Sequence, residues 1–211
     1  MPKILYVTAS PREHSTSSEL AESYLSDLRR LNPEVVVDHL DLWAIDLPPF
    51  NGSRVAAKMN VIAGVEQQNE LQRTVWDEIV EHAQRFINAD RYVFAVPMWN
   101  GGVPYRLKQY IDVIHQPGLL WRLDHDAGYF GLLKNKQATL ILTAAVFAPG
   151  MPGAFGVDHH STYLRAWLSQ AGVDQVDEVR FQPSLLVDDP AAELKAAHAR
   201  AAALAREHST L

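Results

Sequence analysis

Apolar positions along this chain follow two alternating patterns, one typical of buried strands and one typical of helices. Short, almost continuous apolar runs predict five strands, at Lys3–Thr8, Val35–Leu40, Arg91–Val96, Gln137–Thr143 and Gln175–Phe181. Between these runs apolar residues recur every three or four positions, which predicts helices at about Ser17–Leu31, Leu71–Asn88, Val103–Ile114, Asp158–Ala171 and from Pro190 onwards. Residues 41–70, 116–136 and 149–156 show neither pattern, and we predict that they are irregular.

The alternation of strands and helices predicts the fold. Strands that are apolar on both faces belong to a parallel sheet covered by helices on both sides. The second and fifth predicted strands carry charged side chains, for example Asp38 and Glu178, and so suit the edges of the sheet. We therefore predict an α/β flavodoxin-like three-layer sandwich, with a five-stranded parallel sheet of order 2-1-3-4-5 and helices on both faces, as a single domain over residues 1–211.

Composition excludes several classes of function. The 211 residues carry a formal net charge of −6, which argues against a surface for nucleic acid or anionic membrane. The absence of cysteine excludes disulfides, thiolate nucleophiles and cysteine-bound metals. Because the first strand is predicted to begin at Lys3, we expect no secretory leader, and no apolar run in the sequence is long enough to span a bilayer. We expect a cytoplasmic protein that binds neither nucleic acid nor membrane.

Hydroxyl residues cluster after the first predicted strand. They are Ser10, Ser15, Thr16 and Ser17. In a 2-1-3-4-5 sheet ligands bind at the carboxyl ends of strands 1 and 3, where the chain reverses direction. Hydroxyls and free N–H groups at a helix start form an anion site, and Arg12 and His14 would add positive charge. A capping box of Thr16 and Glu19 would explain one or two hydroxyls without a ligand, so we favour phosphate binding.

A second loop reaches the same edge of the sheet. The segment Pro97-Met98-Trp99-Asn100-Gly101-Gly102 joins the third strand to its helix. Its glycines let backbone N–H groups approach a ligand, and the helix start adds partial positive charge. An alternative role for the two glycines is conformational, because they permit a tight turn. The combination suits a flat ring with polar edges.

The sequence lacks the motifs of several other common ligand-binding and catalytic sites. No Gly-x-Gly-x-x-Gly fingerprint, Walker lysine loop or Gly-x-Ser-x-Gly elbow occurs, which disfavours dinucleotide, nucleoside-triphosphate and α/β-hydrolase sites. A ligand that has both a phosphate, bound here by hydroxyls, and a flat ring beside it is flavin mononucleotide (FMN).

Two groups of histidine and aspartate suggest a metal only weakly. Neither Asp158-His159-His160 nor Asp124-His125-Asp126 has the spacing of a standard zinc or iron site, so we expect no metal. Asp158 is expected to be the N-cap of the fourth helix. Trp99 and Trp121 lie in predicted loops beside the crevice, and both a binding role and surface packing remain open for them.

Taken together, these motifs resemble the FMN-dependent NADH:quinone reductases, also called azoreductases. The likeness also includes Leu107–Asp112 and Tyr163-Leu164-Arg165, and it covers nearly the whole chain. It implies that the hydroxyl loop holds the FMN phosphate and that residues 97–102 contact the ribityl chain and ring, with N–H groups of Gly101 and Gly102 at the pyrimidine edge. The loop after the fourth strand, Thr143-Ala144-Ala145-Val146, covers the ring's other edge, although it lacks the family's usual Gly-Gly pair.

The resemblance also implies the reaction. NADH or NADPH reduces the flavin at N5, and a quinone or azo compound then takes two electrons from the same face in a ping-pong cycle. No side chain is an obvious catalytic residue, since the flavin carries the hydride; the proton comes from water or, as a weak candidate, from His160. The family is usually dimeric, so a homodimer is expected. The alternatives are a flavodoxin-type electron carrier and a flavin-free binding module.

Overall fold

A computed structural model describes residues 1–65 and 69–209 of the chain. Its strands are β1 (Lys3–Thr8), β2 (Val36–Asp41), β3 (Arg91–Pro97), β4 (Trp121–Asp124), β5 (Gly128–Gly131), β6 (Gln137–Thr143) and β7 (Gln175–Phe181). Five of them form one parallel sheet in the order β2-β1-β3-β6-β7. Because β6 and β7 are the fourth and fifth strands of this sheet, the predicted order 2-1-3-4-5 is confirmed.

Helices cover both faces of the sheet, as predicted. They are α1 (Thr16–Leu31), α2 (Gly52–Ile62), α3 (Glu70–Ile87), α4 (Tyr105–Ile114), α5 (Ser161–Ala171) and α6 (Pro190–His208). Helices α1 and α6 pack on one face, and α3, α4 and α5 pack on the other. No helix in the described ranges is both long and apolar enough to cross a membrane.

Strand β3 illustrates why the central strands are apolar throughout. Successive side chains of a strand point to opposite faces of the sheet. Val93 and Ala95 therefore pack beneath α1 and α6, while Tyr92, Phe94 and Val96 pack against the helices of the other face. Both faces are buried, so the strand carries no polar alternation.

Helix α2 was not predicted from the sequence. Its buried residues are Arg54 and Ala57, whereas Val55 and Met59 are exposed, so it has no apolar stripe facing the core. A polar contact holds it instead: the Arg54 guanidinium forms an ion pair with Glu78 on α3 and donates to a backbone carbonyl. A pattern search for apolar periodicity does not detect a helix held in this way.

The hairpin of β4 and β5 also lies in a segment predicted to be irregular. Its side chains are mostly exposed, so no burial pattern marks it. The hairpin is fixed where Gly131 meets Gly172 at the end of α5, since a β carbon on Gly131 would lie 2.1 Å from the backbone nitrogen of Gly172. Only two glycines allow the backbones to touch in this way.

Candidate cofactor site

The start of α1 presents unpaired backbone donors at the carboxyl edge of the sheet. Ser15 is the N-cap residue, and within the described chain its side chain forms no capping hydrogen bond. The hydroxyls of Ser15 and Ser17 instead bond to each other at 3.0 Å. The N–H groups of Thr16, Ser17 and Ser18 thus find no acceptor in residues 1–65 or 69–209, and the capping box of Thr16 and Glu19 is not formed.

Arginine and serine side chains shape the loop that leads into this helix. The Ser10 hydroxyl accepts a hydrogen bond from the Arg12 N–H at 3.2 Å, and the Arg12 guanidinium donates to the His14 carbonyl at 3.3 Å. These contacts fold the loop so that Ser10 and Arg12 line the same cavity as Ser15 and Thr16. Hydroxyls, free N–H groups and a cation therefore converge where an anion would bind.

The loop after β3 is a tight hairpin turn. Trp99 and Gly102 exchange two backbone hydrogen bonds of 2.9 Å each. The two central residues have positive φ angles, 49° at Asn100 and 82° at Gly101, which is the type I′ geometry that Asn-Gly favours. In the part of the chain that the structure describes, their N–H groups bond to no carbonyl and are available to a ligand.

The N–H group of Gly102 is not available to a bound ring, contrary to the expectation from the sequence. This N–H group already donates to the Trp99 carbonyl, so Gly102 closes the turn and its role is conformational. The donors at this turn are the N–H groups of Asn100 and Gly101. The sequence did not distinguish the neighbouring glycines, because only the closed hydrogen-bond ring decides which N–H group is used.

The loop after β6 forms the facing wall. The carbonyl of Thr143 accepts the Met98 N–H at 2.7 Å, which ties this loop to the turn. On its other side the carbonyls of Ala144 and Ala145 accept from the N–H groups of Ser184 and Leu185, at 2.9 and 2.8 Å. The loop is therefore held from both sides at the sheet edge.

Two neighbouring cavities lie between these loops. The smaller, of about 200 Å³, lies at the start of α1, and the larger, of about 430 Å³, lies between the Asn100–Gly101 turn and residues 144–159. They share Met98, Ala144 and Ala145, so together they form one groove. The predicted cofactor residues that line it are Ser10, Ser15, Thr16, Pro97, Met98, Trp99, Asn100, Gly101, Thr143, Ala144, Ala145 and Val146.

Two predicted cofactor residues, Ser17 and Gly102, line neither cavity. Ser17 is fully buried behind Ser15 and supports it through the hydroxyl–hydroxyl bond. Conversely, the groove includes Phe155, Val157, Phe181 and Ser184, which the sequence did not indicate. These residues come from loops whose positions depend on tertiary contacts, and no local motif marks them.

The two cavities differ in polarity. Among the described residues, Arg12 is the one charged residue lining the smaller cavity. The wall of the larger cavity carries the apolar residues Val146, Phe147, Phe155 and Val157, and His159 is the one ionisable residue that the described ranges place there. The groove thus has a polar end that carries a cation and an apolar end.

The start of α5 places two adjacent histidines in different environments. His159 is exposed at the larger cavity, whereas His160 is fully buried and, within the described residues, neither of its ring nitrogens has a hydrogen-bond partner. Burial lowers the pKa of His160 to about 4; the nearby Asp158 opposes this shift and Arg180 adds to it. His160 is therefore neutral at pH 7 and does not face the groove.

Asp158 supports the start of α5 from two residues before the assigned N-cap. Its carboxylate accepts from the N–H groups of His160 and Ser161, at 3.0 and 2.7 Å, and from the Ser161 hydroxyl at 2.5 Å. The predicted capping role is thus performed, although His160 occupies the N-cap position itself. In the described residues no three histidine, aspartate or glutamate side chains converge as metal ligands would.

The structure separates the two loop tryptophans. Trp99 lines the smaller cavity and stands 6.0 Å from the Trp43 ring. Trp121 instead packs edge-on against Tyr129 at 5.0 Å and donates to the His115 carbonyl. Packing accounts for Trp121, while Trp99 is in position to contact a ligand.

Comparison with known proteins agrees with this geometry. A family model described as a flavodoxin-like fold matches residues 2–205. A Ruegeria pomeroyi protein named FMN-dependent NADH:quinone oxidoreductase is 48% identical over 193 residues, covering 91% of this chain and 94% of its own length. A Pseudomonas syringae protein named FMN-dependent NADH:quinone oxidoreductase 2 is 41% identical, covering 96% of this chain and 97% of its own.

Solved structures show the same fold. An azoreductase from Bacillus anthracis superimposes with a TM-score of 0.89 at 24% identity, covering 98% of this chain and 100% of that one. An FMN-dependent NADH-azoreductase from Bacillus anthracis, solved in complex with FMN, superimposes with a TM-score of 0.87 at 22% identity, covering 99% and 100%.

Proposed function

Because this chain belongs to the flavodoxin-like family of FMN-dependent NADH:quinone oxidoreductases, we propose that it passes two electrons from NADH through FMN to quinones. We propose further that azo compounds are reduced at the same site and that the protein acts in the cytoplasm. The single observation that carries the proposal is the continuous groove with a polar end that carries a cation and an apolar end. An enzyme of this family needs both ends, since FMN has a phosphate and a flat ring.

The residues at the smaller cavity fit a phosphate. The first turn of α1 offers unpaired N–H groups, and Ser10, Ser15 and Thr16 add hydroxyls on the cavity wall. The helix dipole favours negative charge at this position, and Arg12 adds a nearby cation. Ser17, buried behind Ser15, orients the Ser15 hydroxyl.

The residues at the larger cavity fit a flat ring with polar edges. The turn offers the free N–H groups of Asn100 and Gly101, and the facing loop offers those of Ala145 and Val146, none of which has an acceptor in the described chain. Such donors stabilise negative charge on a bound ring without reorganising. Beside these donors Val146, Phe155 and Val157 present an exposed apolar surface against which a flat ring can pack.

When bound, FMN supplies the redox chemistry, and the protein positions and tunes it. Trp99, beside the smaller cavity, restricts access from one side, and Phe155 and Val157 form an apolar rim where a flat acceptor or the nicotinamide would stack. We infer that both substrates use this one position in turn, as a ping-pong cycle requires. The electron-carrier alternative is disfavoured because the matched relatives are named as enzymes.

Steady-state kinetics test the shared position. If NAD⁺ leaves before the quinone enters, double-reciprocal plots at several quinone concentrations are expected to be parallel. Initial rates measured with both substrates varied provide the test, with FMN saturating. Intersecting lines would show that both substrates bind together and would exclude a single shared position.

We also propose that the protein is a symmetric homodimer. Leu123, Tyr129 and Phe130 on the β4–β5 hairpin are exposed at 56%, 56% and 39%, an apolar surface that a second copy would cover. Sedimentation equilibrium at micromolar concentration is expected to give twice the chain mass of 23.6 kDa. A Tyr129→Lys variant should shift the mass towards the monomer, and a wild-type monomer would contradict the proposal.

A further inference from the structure

We propose that His159 is the proton donor to the acceptor in the quinone-reducing step, an inference that rests on the proposed function. Within residues 1–65 and 69–209, His159 is the one ionisable residue on the wall of the larger cavity. His160, its buried neighbour, faces away from the groove and cannot exchange protons with water there. The position of the imidazole, rather than the motif around it, singles out His159.

The backbone of His159 is fixed against the turn that would hold the ring. Its N–H donates to the Gly101 carbonyl at 3.1 Å, and the residue pairs with Gly102 as a short parallel bridge. On its other side Asp158 anchors the first turn of α5 through three hydrogen bonds. These contacts fix the His159 backbone, and therefore the point from which its side chain extends, relative to a ligand on Gly101.

The imidazole itself is free to act. It is exposed to solvent at the cavity, and it forms no hydrogen bond with residues 1–65 or 69–209. Histidine is the side chain that gains and loses a proton most readily between pH 5 and 8. His159 can therefore give a proton to a bound molecule and recover one from water.

The step balances with one proton from this residue. A quinone that received one hydride, which is two electrons and one proton, would become an aromatic hydroquinone anion: both C=O π bonds break, one ring C=C π bond and one O–H bond form, and one oxygen stays anionic. The protonated His159 ring then gives its proton to the anionic oxygen, forming the second O–H bond and leaving a neutral imidazole. Bulk water reprotonates the ring before the next turnover.

Two acceptors separate proton transfer from electron transfer. Reduced His159→Gln enzyme is expected to reoxidise about 10²-fold more slowly with 1,4-naphthoquinone at pH 6, because general acids contribute on this scale. Ferricyanide takes electrons without a proton, so its rate should not change. Stopped-flow absorbance of the flavin measures both rates.

A spectroscopic readout tests the contact independently of turnover. The oxidised enzyme does not react with 1,4-naphthoquinone, so the two can be mixed and observed by NMR. The His159 ring resonance, assigned by its loss in His159→Gln, is expected to shift when the quinone is added. The control variant is His198→Gln on α6, which lines neither cavity and should behave as wild type.

The outcomes distinguish this proposal from the proposed function. An unchanged quinone rate in His159→Gln, or an equal loss with both acceptors, would overturn the role of His159 as proton donor. Failure of the wild-type protein to bind FMN or to be reduced by NADH would instead overturn the proposed function, and it is seen before any quinone is added.

Discussion

Replacing Ser15 by aspartate is expected to raise the dissociation constant for FMN by about 10³-fold. Ser15 lines the smaller cavity at the N-cap of α1, so the new carboxylate would face the phosphate directly. Two like charges about 4 Å apart at an effective dielectric constant of about 20 repel by about 4 kcal/mol, which is roughly a thousandfold in affinity. Fluorescence titration of the apoprotein with FMN measures the effect.

The fold should survive this change. Aspartate is among the best N-cap residues, and its carboxylate can accept the hydrogen bond that now joins Ser15 and Ser17. Ser15→Asn is the matched control, because it has the same shape without the charge, and it should bind FMN within about tenfold of wild type. Equal weakening in both variants would show that shape rather than charge governs the site.

Acidification is expected to destabilise the protein by about 3 kcal/mol through His160 alone. Burial lowers the pKa of this histidine from 6.5 to about 4 in the folded state. Between these values the unfolded chain binds more protons than the folded chain, so stability is complete above pH 6.5 and falls as pH decreases towards 4. Each pH unit in this window costs about 1.4 kcal/mol.

A leucine at this position isolates the effect. His160→Leu has a similar volume and removes two buried ring nitrogens that, within the described chain, have no partner. We expect its stability at pH 7 to equal or exceed that of wild type, since unpaired buried polar groups are costly. Urea unfolding of both proteins from pH 7.5 to 4 measures the difference in stability, which cancels the titration of groups that do not interact with position 160. A constant difference across this range would contradict the assignment.

Much of the cofactor site could be predicted because it lies at fixed points of the topology. A hydroxyl loop after the first strand and a glycine turn after the third must meet in a 2-1-3-4-5 sheet, since the carboxyl ends of adjacent parallel strands lie side by side. Ser15 and Gly101 were therefore placed in one groove from sequence alone, and the structure brings them to its two ends. Their role in binding FMN stays a prediction.

Other parts of the site depend on contacts that leave no local signal. The sequence treated Gly101 and Gly102 alike, and the hydrogen bond from Gly102 to Trp99 decides which one keeps a free N–H. The sequence grouped His159 with His160, and the start of α5 turns one towards the groove and buries the other. Two adjacent residues can therefore have opposite environments, one exposed and one buried, and neither composition nor periodicity predicts which residue is buried.

The sequence by itself determined the sheet, its strand order and the family, because apolar periodicity and motif position can be recognised without knowing which distant residues are in contact. Only the tertiary structure decided the α2 helix and the β4–β5 hairpin. The first is held by the ion pair of Arg54 with Glu78, and the second by the close approach of Gly131 to Gly172. In both cases the two contacting residues are far apart in the chain, so no local sequence pattern predicts the contact that stabilises the element.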